Sequence, residues 1–135
     1  MYKVHSKMKC LKIEPWNLEG TLEKIEGLFE NLDSKLKFKA MLICEEVVTN
    51  QIRHANFEDK KEDIEFCYLF QKTHILLLFR DNAKKFNPLL KDLPDVKATL
   101  EEAIPGGLGI YIVKKYSNSL RYDYENGYNI LRVEL

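Results

Sequence analysis

The chain has 135 residues, with 21 lysines and arginines against 21 aspartates and glutamates, so its formal net charge is zero. That length suits a single domain over residues 1–135 with a core of its own, and the balanced charge removes the basic footprint that non-specific nucleic-acid binding needs. No apolar run approaches the roughly 20 residues that cross a bilayer, and the start MYKVHSKMKC lacks an apolar leader, so a soluble cytoplasmic protein without membrane contact is expected. Cys10, Cys44 and Cys67 are odd in number, far apart and in apolar surroundings, which predicts buried thiols rather than a disulfide framework or a Cys-x-x-Cys metal site.

Along the chain, Met8 to Pro15 reads as a first strand that ends at proline. Leu18, Leu22, Ile25, Leu28, Phe29 and Leu32 then form a helical stripe behind Asn17, a residue suited to an N-cap. A second helix is predicted from about Asp33 or Ser34 to Ala55, with Cys44, Val47, Val48, Gln51 and Ile52 on one broad arc. The period changes after NFEDKKE: Ile64, Phe66, Tyr68 and Phe70 alternate like a half-buried strand, and His74 to Arg80 is a continuous apolar run like a central strand. Between Asp81 and Pro105 lies a long polar connection of the kind kept for a function such as a lid. PGGLGIYIVKKYS then reads as a glycine loop entering a helix, and the end as a hairpin turning at Asn126-Gly127. The order β-α-α-β-β-(lid)-α-β-β predicts an α+β fold: a two-layer α/β sandwich with a mixed, mostly antiparallel sheet and helices on one face.

Three short stretches carry chemistry. In EEVVTNQIRHA, Glu46, Asn50 and His54 recur every four residues; four residues advance a helix by about 400°, so the three line one stripe at the border of the apolar face. A carboxylate, an amide and an imidazole facing one cleft could hold a hard cation with its waters and take a proton from a hydroxyl. A solvated helix edge would show the same spacing. In RDNAKKFNP, Asp81 ends the most apolar strand, where its carboxylate can accept from the exocyclic amine of a purine; an ordinary turn aspartate is the plainer alternative. In GGLGIYIV, Gly106 to Val113, glycines at a helix start let backbone N–H groups approach a phosphate, although packing glycines at a helix start would look alike. No G-x-G-x-x-G follows a strand, and Lys114 comes too late for a Walker loop.

Taken in order, E-x-x-x-N-x-x-x-H-A on a helix, D-x-(small)-x-x-F-x-P after a strand, a lid, and G-G-L-G opening a helix closely resemble the N, G1 and G2 boxes of the GHKL (Bergerat-fold) ATPase superfamily. Within it the chain looks most like the small RsbW-type anti-sigma factor serine/threonine-protein kinases. The resemblance runs from about Met8 through the final hairpin and implies the histidine-kinase-like ATPase fold. It makes Glu46 the general base and Asn50 the ligand of a Mg2+ that bridges ATP phosphates, with His54 in support. Asp81 would recognise the adenine amine, beside Ala83 and Phe86, and Gly106, Gly107, Leu108 and Gly109 would meet the phosphates. It further implies that the chain binds Mg-ATP and phosphorylates a serine on a STAS-type anti-anti-sigma partner, or holds a sigma factor, in a bacterial partner-switching system; a homodimer is a family-level expectation. A non-catalytic partner-switching module, nucleotide-bound or nucleotide-free, is the alternative. A histidine-kinase fragment fits less well, since no helix with a phosphoacceptor histidine precedes the first box. The chain departs from the pattern at Ala83, where glycine is usual, at Arg132, where relatives often place a threonine near the adenine, at Asn118, where an acidic residue is common, and in a lid without arginine.

Overall fold

In the computed structural model, residues 8–71, 73–90 and 107–135 are described. Strand β1 (Lys9–Lys12) is followed by helices α1 (Leu18–Leu28) and α2 (Ser34–Arg53), then by strands β2 (Ile64–Phe70) and β3 (Ile75–Asp81). A 3-10 turn, Pro88–Leu90, precedes helix α3 (Gly107–Tyr116) and the hairpin of β4 (Ser119–Glu125) and β5 (Tyr128–Glu134). The expected lid and glycine loop fall largely on residues 91–106, outside the described residues.

Local chemistry explains the element ends. Asn17 caps α1 by accepting from the Gly20 amide at 3.0 Å, and Asp33 caps α2 by accepting from the Leu36 amide at 3.0 Å. The β4–β5 turn places Asn126 and Gly127 at φ 53° and 83°, the paired positive values of a two-residue hairpin turn whose twist matches its strands.

The sheet runs β1-β2-β3-β5-β4. Every pairing is antiparallel, so the expected mostly antiparallel sheet is wholly so among the described residues. One face meets the helices. Phe66, Leu77, Phe79, Leu131 and Val133 from the strands are buried with Ile25 of α1 and its C-cap residue Phe29, Ile43 and Val48 of α2, and Val113 of α3. At about 25 cal/mol per Å² of apolar area removed from water, each such side chain contributes on the order of 2 kcal/mol before entropy is counted. Cys44 lies in this core, where burial holds its thiol pKa well above the ordinary value. On the opposite face a smaller cluster of Met8, Cys67, Leu78 and Ile130 is buried. Beside it Arg80 stacks 3.6 Å above the Tyr128 ring.

The cysteine expectation needs correction. Only Cys44 is a buried free thiol, because Cys10 and Cys67 are joined in a disulfide across β1 and β2. Cys10 is exposed, and the two residues sit directly opposite each other with Cα atoms 4.0 Å apart. A separation of 57 residues concealed a pairing that only strand register creates.

Candidate functional site

A cleft of about 580 Å³ opens between the C-terminal half of α2, the end of β3 with its following loop, β5 and the start of α3. That volume suits a small-molecule ligand. Its lining is mostly apolar, with Val47, Phe79, Ile110, Val113 and Leu131 around a few polar groups.

The most constrained polar group is Asp81, the last residue of β3 and only 8% exposed. Its Oδ1 accepts from the Ala83 amide at 3.1 Å and from Asn129 Nδ2 at 3.0 Å, while Oδ2 accepts from Gln51 Nε2 at 3.0 Å. An ionised carboxylate has about four acceptor positions, so Oδ2 keeps one for a ligand's N–H. Asn129 is itself fixed on both sides: Nδ2 also reaches the Ala83 and Lys84 carbonyls at 3.1 Å, and Oδ1 accepts from the Phe86 amide and the Tyr122 hydroxyl. The aspartate thus arrives pre-oriented, and a ligand need not order it.

Ala83 fits this arrangement without strain. Among the described residues only Glu58, Asp59, Asn126 and Gly127 have positive φ, so the methyl that replaces the usual glycine meets no backbone penalty. Phe86 stands at the rim, 53% exposed, with its ring beside the cleft that its backbone helps to close.

On α2, Asn50 and His54 line the cleft, His54 from the exposed C-cap position. Glu46 lies one turn earlier and outside the lining, yet it converges with Asn50 on α3. A Cβ added to Gly109 would stand 3.0 Å from Glu46 Oε2 and 3.2 Å from Asn50 Nδ2, so glycine is what lets the start of α3 approach these two side chains. Partial burial, and then the neighbouring charge of Glu45, raise the pKa of Glu46 above its ordinary value. Gly107 and Leu108 open α3, with N–H groups free of helical partners by position; Gly106 lies outside the described residues. The described cations on the lining are Lys84 and Lys85, both exposed.

Three residues of the site escaped the sequence reading. Gln51 was legible only as part of the buried arc of α2, yet it is the donor that grips Asp81. Asn129 is the direct strand partner of Asp81, and Tyr122 anchors it; strand alternation would have placed Asn129, Leu131 and Val133 on one face, had the β3–β5 pairing been known. The same alternation corrects the expectation that Arg132 stands beside the Asp81 cleft. Arg132 points to the opposite face of the sheet, where it donates to Asp123 at 2.8 Å. Asn118 is exposed and follows α3, with its amide bonded to the Glu134 carbonyl at 2.7 Å.

Comparison with known proteins bears on this geometry. The model of the histidine kinase-like ATPase domain matches residues 17–135. The serine/threonine-protein kinase BtrW of Bordetella bronchiseptica is 24% identical over 105 residues, which cover 78% of this chain and 74% of that protein. Two solved structures share the fold. The histidine kinase domain of a blue-light-activated histidine kinase from Erythrobacter litoralis superposes with a TM-score of 0.56 at 13% identity, over 87% of this chain and 60% of that one. The nucleotide-free catalytic domain of histidine kinase ThkA gives 0.52 at 11% identity, over 94% and 95% of the two chains. No described helix is long and apolar enough to cross a membrane.

Proposed function

The chain belongs to the histidine kinase-like ATPase family, and from that membership we propose that it is an ATP-dependent protein serine/threonine kinase that phosphorylates a STAS-type anti-anti-sigma partner and, when free, holds a sigma factor. The observation that carries this reading is a cleft lined by a clamped, buried aspartate with an acceptor to spare and by the amide of Asn50, which together with the Glu46 carboxylate just outside the lining stands tight against a glycine of α3. The first suits a purine's exocyclic amine, and the second suits a phosphoryl group with its cation. The similarity to BtrW, whose name is that of a serine/threonine-protein kinase, supports the choice of a protein hydroxyl as acceptor.

Asn50 and Glu46 offer hard oxygen donors one helical turn apart, a set that fits Mg2+, which keeps most of its waters and takes one or two protein ligands beside phosphate oxygens. Asn50 would hold that ion, and when bound it would offset charge on the transferred phosphoryl. The remaining work falls to the chain's own groups. Asp81 accepts from the adenine amine, and the apolar walls of Val47, Ile110 and Leu131 exclude water from the base. The first N–H groups of α3 meet phosphate oxygens. Glu46 takes the proton as the serine oxygen bonds to the γ-phosphorus, while the bond to the β–γ bridging oxygen breaks and ADP leaves. Its raised pKa makes the carboxylate a better proton acceptor than an ordinary glutamate.

Radiolabelled phosphate transfer from γ-labelled ATP to a purified STAS-type protein tests the proposal. Wild type is expected to label the partner; Glu46→Gln is expected to lose about 100-fold or more of the rate, within the span assigned to a positioned base, while still binding nucleotide. Full activity in Glu46→Gln would remove Glu46 from the chemistry. A stable wild-type complex that never incorporates label would assign a binding-only switch instead.

A further inference from the structure

Gln51, which lines the cleft, carries a buried atom that has no hydrogen-bond partner among the described residues: Oε1, on a side chain only 6% exposed. Its orientation is fixed. Nε2 of the same amide donates to Asp81 Oδ2 at 3.0 Å, and turning the amide over would set Oε1 against a carboxylate oxygen. The orphan acceptor is therefore one amide group away from the one acceptor position that Asp81 retains, and Gln51 lines the same cleft. A desolvated acceptor left alone is costly, and two neighbouring ones invite a group with two N–H bonds in one plane.

We propose that Gln51 is a base-specificity residue, whose Oε1 accepts a hydrogen bond from one N–H of a 6-amino purine while Asp81 Oδ2 accepts one from the other. The inference rests on the reading of this cleft as a nucleotide site and adds to it a second reader of the amine. A 6-oxo purine would bring a lone pair against two acceptors. An N6-methylated purine keeps a single N–H and leaves one acceptor empty.

Calorimetric titration of the whole chain with the magnesium complexes of ADP, N6-methyl-ADP and IDP tests this. Wild type is expected to bind ADP roughly 10- to 100-fold more tightly than N6-methyl-ADP, the cost of one buried acceptor left unpaired. In Gln51→Leu, which keeps the bulk but removes both the Oε1 acceptor and the Nε2 donor to Asp81, ADP binding is expected to weaken and the preference over N6-methyl-ADP to disappear, while Asp81, still held by the Ala83 amide and Asn129, keeps the preference over IDP. Equal affinity of wild type for ADP and N6-methyl-ADP would overturn the inference without any variant, as would undiminished discrimination in Gln51→Leu. Failure of wild type to bind ADP at all would overturn the nucleotide reading itself and this inference with it, whereas ADP binding without discrimination overturns the inference alone.

Discussion

Glu46 is where a single side chain makes a measurable demand. Burial and Glu45 both favour its protonated form, so the folded chain binds that proton more tightly than the unfolded chain. Unfolded glutamate releases its proton first as pH rises, so folding stability falls between the ordinary glutamate value and the raised one and is not recovered above it. The proposed phosphotransfer would have the opposite sign, because a base works only when deprotonated. Activity is therefore expected to rise with pH along a limb that lies above the range of an ordinary glutamate. Glu45→Gln removes the second cause and is expected to move that limb to lower pH in a rate profile; an unmoved limb would show that some other group titrates. The four-residue interval that singles out Glu46 and Asn50 is legible in sequence because a helix fixes its own geometry. Gln51 and Asn129 are not, since their roles depend on what lies across the cleft, and in sequence each is one polar residue in a buried segment.

Elements carry two further expectations. The start of α3 is pressed against α2 at Gly109, where a methyl would stand 3.0 Å from Glu46 Oε2. Alanine is favoured over glycine within a helix by about 1 kcal/mol, so Gly109→Ala is expected to leave thermal stability nearly unchanged while cutting phosphotransfer by 10-fold or more through displaced Glu46 and Asn50. A parallel loss of stability and activity would mean a packing glycine only. At the other edge of the sheet, the four-residue strand β1 is held to β2 by the Cys10–Cys67 disulfide. Closing a loop of this length contributes about 4 kcal/mol in the chain-entropy account, so reduction is expected to lower the melting temperature by on the order of 10 °C. A melting curve indifferent to reductant would show that the edge strand does not depend on the bond. The helices, the alternation of β2 and the final hairpin could be read from periodicity and turn residues, which are local. The disulfide and the true facing of Arg132 could not, because both follow from which strands pair and in what register.

For the whole molecule, the antiparallel sheet supplies a rigid floor and the helices a wall, and the cleft exists because β3 ends at Asp81 just where α2 ends at Arg53. Sheet and helix each bring half of the site: Asp81 and Asn129 from adjacent strands, and Glu46, Asn50 and Gln51 from α2. The most direct test of the account is a thermal-shift titration with Mg-ADP of wild type and Asp81→Asn, each read against its own nucleotide-free melting temperature. At 100 times the dissociation constant, a ligand stabilises the folded state by about 2.7 kcal/mol, on the order of a 10 °C rise for a domain of this size. The account predicts that rise in wild type and its loss in Asp81→Asn; no rise in wild type, or the same rise in both, would contradict it.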